Sequence, residues 1–171
     1  HYPLRRQRQM CKETGLIEPD PNLAHLLVGS EGTLAAFTAV TLKLSRLPAH
    51  RVMGVCHFPG FRAAMETTRH LVALGPVAVE LVDNNVLALG ADIPLFRRTL
   101  ADITKGQPDC LLLVEFAGDS LDDLKRDLKR LDQCMADHGF PDAIVEVIEP
   151  AGQKQVWEVR EACLNIMMSM K

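Results

Sequence analysis

No apolar run in this chain approaches the roughly 18 residues that a membrane-spanning helix needs, and no secretory leader is legible at its start. Close cysteine pairs are absent as well: Cys11, Cys56, Cys110, Cys134 and Cys163 lie far apart, which excludes the Cys-x-x-Cys spacing of a zinc or cluster site. Their odd number speaks against a secreted disulfide framework, and their apolar neighbours make them small core hydrophobes. The histidines form no His-x-x-x-His pair, so no metal site is expected. Charge of one sign is missing too. A net charge of −3 gives no reason to expect a nucleic acid or an anionic membrane as partner, and Arg5, Arg6 and Arg8 at the start read as solvated. There is no Walker loop and no three-glycine dinucleotide fingerprint. The chain begins at His1 rather than Met and ends at Lys171 inside a helical pattern, so it is expected to be a piece of a longer polypeptide.

Enough remains to build a core: 47% of the 171 residues are hydrophobic. The spacing predicts a strand over Arg51–Phe58, a helix from Phe61 to Leu74 stopped by Gly75-Pro76, and a strand over Val77–Val82. Short helices follow at Asn84–Leu89 and Pro94–Ile103. Cys110–Phe116 is nearly all apolar and so reads as a central strand. Leu121, Leu124, Leu128, Leu131 and Met135 share one helical stripe, with Ser120 as N-cap and Asp122 and Asp123 in the positive first turn. The outer face of that helix is charged and reads as solvated. A strand over Ala143–Ile148 and a helix after Pro150 complete the order. Strand–helix–strand, helical insert, strand–helix–strand is the split βαβ arrangement: an α+β, ferredoxin-like antiparallel sheet with helices on one face. A boundary near Pro48 separates residues 1–48 from residues 49–171. No internal repeat beyond this pseudo-duplication and no low-complexity segment is present.

Two features carry chemistry. The first is the small-residue bend in His25-Leu-Leu-Val-Gly-Ser-Glu-Gly-Thr-Leu34, followed by the strand-like alternation of Leu34–Leu44. Glycines on either side of Ser30 and Glu31 let a backbone pass close to a bulky group, and such a turn can present N–H groups to an anionic or heterocyclic ligand. On the residues alone it stays open between a ligand loop and an ordinary hairpin or bulge. The second is Arg160 on the final helix. At about 100° per residue it falls inside the arc of Val156, Val159, Cys163, Ile166, Met167 and Met170, which Trp157, Leu164 and Met168 extend. A guanidinium stays charged, so an arginine on an apolar face needs an anion. That anion is either Glu80 or Glu115 in a structural ion pair, or a ligand carboxylate held in bidentate fashion, unless the side chain simply reaches solvent. Asp83-Asn84-Asn85 reads as a turn or N-cap before it reads as a polar site.

Val28-Gly-Ser-Glu-Gly-Thr-Leu34, with Thr38 and the stretch to Leu44, resembles the closing motif of the flavin-binding (PCMH-type) domain of FAD-linked oxidases, the glycolate oxidase, D-lactate dehydrogenase and D-2-hydroxyglutarate dehydrogenase relatives of the vanillyl-alcohol oxidase superfamily. Asp20-Pro-Asn-Leu-Ala-His25 is similar to large bacterial members that carry an iron–sulfur module further along. The chain departs from the usual pattern in having Ala35-Ala36 where Gly-Ile or Gly-Val is customary. Val79-Glu-Leu-Val-Asp83, Leu111–Phe116 and Val156-Trp-Glu-Val-Arg160 extend the resemblance over most of the chain.

The resemblance implies that residues 1–48 end an FAD-binding domain and that residues 49–171 are an incomplete ferredoxin-like substrate domain. It implies FAD as cofactor, contacted by Gly29, Ser30, Glu31, Gly32, Thr33 and Leu34, and a small D-2-hydroxy acid whose carboxylate Arg160 would grip. A hydroxyl residue one turn beyond that arginine in relatives is Leu164 here. The histidine base and the metal ligands of such relatives have no counterpart in this sequence, so the fragment alone is expected to be inactive and to bind FAD weakly or not at all. The electron acceptor is not indicated and a homodimer is left open. A cytoplasmic protein, free or peripheral to the inner membrane, is expected. The contrary readings are a ferredoxin-like ligand-sensing or interaction module, in which the glycine bend is only a turn, and an assembly domain of an electron-transfer complex.

Overall fold

The computed structural model describes residues 24–41, 44 and 46–169. Two compact units divide it, one ending at Ser45 and one starting at Arg46, and each is described by itself. In the first unit a single helical turn, α1 (Ala24–Leu27), leads into the glycine bend. The alternating stretch Leu34–Leu44, read from the sequence as a strand, is not one at any of its described residues. Leu34, Phe37, Val40 and Leu44 are exposed. Alternation encodes two faces, but a strand also needs a neighbour to take its N–H and C=O groups, and none lies beside it among the described residues.

The second unit contains β1 (His50–Phe58), α2 (Phe61–Val72), β2 (Ala78–Asp83), α3 (Asn84–Asp92), α4 (Pro94–Ile103), β3 (Cys110–Gly118), α5 (Leu121–Asp137), β4 (Ile144–Val147) and α6 (Pro150–Ser169). The four strands form one antiparallel sheet in the order β2-β3-β1-β4, the ferredoxin-like arrangement. β1 and β3 are the central pair, registered from His50 opposite Gly118 to Phe58 opposite Cys110.

Because successive side chains on a strand point to opposite faces, the two apolar central strands present two apolar surfaces. Val52, Cys56, Phe58, Leu112, Val114 and Phe116 meet α2 and α5 through Ala64, Leu71, Leu124, Leu128, Leu131 and Met135. Gly54 lets α5 come this close, since a Cβ there would lie 2.4 Å from Leu131 Cδ2. Met53, Val55, Leu111 and Leu113 face the other way, onto Leu100, Ile103, Val156, Val159 and Cys163. The expectation of helices on one face therefore needs correction: α3, α4 and α6 cover the second. The physical reason lies in β1 and β3, buried along most of their length on both sides, which water could not be left to cover.

Local signals set the boundaries. Ser120 accepts a hydrogen bond from the Asp123 amide and caps α5, while Asp83 accepts from the Val86 amide and caps α3. Asp83 is thus spent on a helix start. Pro94 opens α4, where its missing N–H costs nothing.

Candidate functional site

The bend after α1 is a tight left-handed excursion. Gly29, Glu31 and Gly32 all have positive φ, at 74°, 50° and 79°. Two of the three are glycines, which enter that region without a Cβ penalty. The Ser30 amide donates to Leu27 O, and Thr33 returns both its amide and its hydroxyl to Ser30 O at 2.9 and 2.6 Å. The Ser30 side chain is buried, yet its Oγ has no hydrogen-bond partner among the described residues. A buried hydroxyl without a partner is costly, and a ligand oxygen or nitrogen could satisfy it. Leu34 follows at the exposed end of the bend. Gly29 to Leu34 therefore share one small structure whose orphan hydroxyl and left-handed backbone suit contact with a nucleotide-type cofactor.

Arg160 belongs to the second unit. It lies one turn beyond Val156 on α6 and lines a small apolar space with Val82, Val86, Leu113, Val156 and Val159. Its guanidinium leaves this wall: Nε stands 2.5 Å from Glu80 Oε2, with the two side chains 37% and 34% exposed. Of the two acids available to it from the sequence, Arg160 thus takes Glu80. The other, Glu115, is engaged elsewhere.

Glu115 is the charge the sequence hid best, a carboxylate inside the apolar run of β3 and 3% exposed. Arg51 of β1 pairs with its Oε1, and the Trp157 indole donates to its Oε2 at 3.1 Å. Gln153, one turn before Trp157, donates both amide hydrogens to backbone, to Arg51 O at 2.8 Å and to Ile148 O at 2.7 Å. Two turns of α6 are thereby tied to β1 and β3 by directional bonds. An open cleft of about 570 Å³ lies over this network, lined also by His50, Leu121 and Lys154. Arg51 and the indole N–H were not legible as Glu115's partners. The only sequence signal was an acid in the middle of a strand otherwise fit for burial on both faces.

The remaining candidates are structural. His57 is buried with Nδ1 2.9 Å from Ala143 O, and its Nε2 accepts the Lys105 amide at 3.0 Å. It is a satisfied core histidine. Cys56, Cys110 and Cys163 are buried and Cys134 is half-buried, all free thiols. Burial pushes all four upward in pKa, Cys56 furthest, with Cys134 and Asp132 adding to it. Cys11, Arg5, Arg6, Arg8 and the Asp20–Leu23 part of the family-like string lie outside the described residues, as do Met170 and the side chains of Leu164 and Met167. Among the described residues no group of three or more His, Cys, Asp or Glu could hold a metal ion, and no helix is long and apolar enough to cross a membrane.

The chain is 30% identical over 159 residues to D-2-hydroxyglutarate dehydrogenase of Escherichia coli (strain K12), an alignment covering 88% of this chain and 16% of that protein. It is 27% identical over 145 residues to the D-lactate dehydrogenase [cytochrome], mitochondrial, of Arabidopsis thaliana, covering 84% and 24%. With D-2-hydroxyglutarate dehydrogenase of Haemophilus influenzae it shares 30% over 117 residues, covering 67% and 11%. The chain thus spans less than a quarter of the length of each of these relatives. Residues 47–171 match the family model described as FAD linked oxidases, C-terminal domain. On that match, over most of its length, the chain belongs to the FAD-linked oxidase family.

Proposed function

We propose that the full-length protein is an FAD-dependent dehydrogenase that oxidises a small D-2-hydroxy acid of the D-lactate, D-2-hydroxyglutarate or glycolate class. In this reading residues 1–48 close its flavin-binding domain and residues 49–171 begin its substrate domain. Family membership and the named activities of the relatives support the reaction type. The observation that carries the substrate class is Arg160, a permanent cation at the rim of an apolar wall, still over a third exposed in spite of its ion pair.

When bound, FAD supplies the two-electron acceptor for the substrate C–H bond. The chain's own part is to hold and orient. Arg160 grips the carboxylate and so fixes the neighbouring hydroxyl-bearing carbon, an orientation effect. The Gly29–Leu34 bend contributes a backbone cradle and the Ser30 hydroxyl to the cofactor. The base and metal ligands of the resembling enzymes have no counterpart in residues 1–171, so this piece alone turns nothing over and holds FAD weakly. An iron–sulfur module and a homodimeric state belong to the same proposal for the longer protein, and the electron acceptor stays unassigned.

Two measurements test it. The purified full-length protein should be yellow, with a flavin absorption spectrum that D-lactate, D-2-hydroxyglutarate or glycolate bleaches anaerobically. Arg160→Lys should keep the flavin but lose about 100-fold in kcat/KM, because an ammonium cannot present two parallel donors. A colourless protein that takes up no FAD refutes the flavoenzyme reading in favour of a ligand-sensing or interaction module. Unchanged kinetics in Arg160→Lys refute the role given to that side chain.

A further inference from the structure

We infer that Glu80 is a positioning residue, an ion-pair partner that holds the Arg160 guanidinium in place so that its exposed donors meet one carboxylate. This rests on the reading of Arg160 as a carboxylate ligand. It goes further in naming the group that holds that side chain in place.

The two side chains form an ion pair, closest at one nitrogen. Glu80 Oε2 meets Nε, the nitrogen nearest the stem. A guanidinium is a planar array of donors, and Arg160 keeps over a third of its side-chain surface exposed beside Glu80, where a second carboxylate can meet it. Glu80 is suited to this because its backbone is held in β2, hydrogen-bonded to β3 with Glu80 opposite Leu113. Glu115 stands two residues along β3, opposite Ala78, and so projects from the same face.

The two acids form a pair of posts for α6. Glu115 takes the Trp157 indole, and Glu80 takes Arg160 three residues later, on the same side of the helix. The first post sets the rotation of α6, and the second uses that rotation to aim one side chain. A long arginine would otherwise sample many rotamers, and fixing it beforehand lowers the entropy lost when ligand binds. An ion pair this exposed has little value for stability. Its effect is directional.

The test uses the full-length flavoprotein and whichever of D-lactate, D-2-hydroxyglutarate and glycolate it turns over fastest, with oxalate as an unreactive carboxylate probe. Glu80→Gln should raise KM and the oxalate inhibition constant in parallel, by about tenfold, while kcat moves less than threefold and flavin content is unchanged. Binding made equally in ground and transition states appears in KM. Glu80→Asp retains the charge on a shorter stem and should lie between Gln and wild type. Unaltered KM and oxalate inhibition in Glu80→Gln, with Arg160→Lys inactive, overturn the inference and leave the functional reading standing. If Arg160→Lys is also unaltered, both fall. Equal loss of flavin and thermal stability in Glu80→Gln and Glu80→Asp marks Glu80 as a structural post only and overturns the inference as well.

Discussion

The two faces of the sheet are both covered by helices, but in different ways. Toward α2 and α5 the buried surface is a jigsaw of Val, Leu, Phe, Cys and Met, close enough that β1 needs a glycine opposite Leu131. Toward α6 the apolar patch is shorter and ends in a row of directional bonds, from Gln153 to backbone and from Arg51 and Trp157 to Glu115, with Arg160 and Glu80 beyond. Apolar packing is strong but tolerates small slides, whereas hydrogen bonds to a fixed strand specify rotation and register. The first face holds the domain together. The second determines where a helix and its side chains point.

The largest break should come from the apolar face. Leu128→Ala, at a fully buried position, removes most of a side chain from a close-packed site and should cost about 2–5 kcal/mol in a denaturant melt of the full-length protein. Kinetic constants of the surviving folded fraction should change little.

A smaller break on the other face should be asymmetric. Arg51→Met strands the Glu115 carboxylate, whose side chain is 4% exposed, and should cost about 3 kcal/mol. Glu115→Gln strands only an arginine that is 49% exposed and can rehydrate, and should cost about 1 kcal/mol. Equal costs for the two would show that the pair behaves as a surface contact and would remove the contrast drawn between the faces.

The smallest effect sharpens the comparison by using the cysteines as probes. Burial raises the pKa of all four described thiols, and it also shields Cys56, Cys110 and Cys163 from alkylating reagents. Peptide mapping of the alkylated native protein should find half-buried Cys134 modified before these three. Among them, Cys163 on the α6 face should react before Cys56 on the α5 face, because the second face opens locally at lower cost. The reverse order would place the looser packing under α5.

Much of the second unit could be read from periodicity, and the reason is visible in particular residues. Ser120, Asp83 and Pro94 sit at helix starts where short-range chemistry alone decides the boundary. The stripe Leu124–Leu128–Leu131–Met135 is buried as its spacing requires. Where legibility failed, the missing information was non-local. Alternation over Leu34–Leu44 could not reveal that its described residues have no strand beside them. An apolar Cys110–Phe116 announced a central strand, but that both faces needed covering followed only once α3, α4 and α6 had a place to go. Beside solvent or a ligand carboxylate, the pattern offered Arg160 an ion pair with Glu80 or Glu115. Choosing between them required knowing that Arg51, 64 residues before Glu115, had already claimed it.

Trp157 is the single tryptophan in the sequence, and its indole nitrogen donates to the buried Glu115 carboxylate. Within residues 1–171 its fluorescence is therefore an unlabelled optical gauge of the helix that carries Arg160. A red-shifted or quenched emission would signal slippage there well before any global melting became measurable.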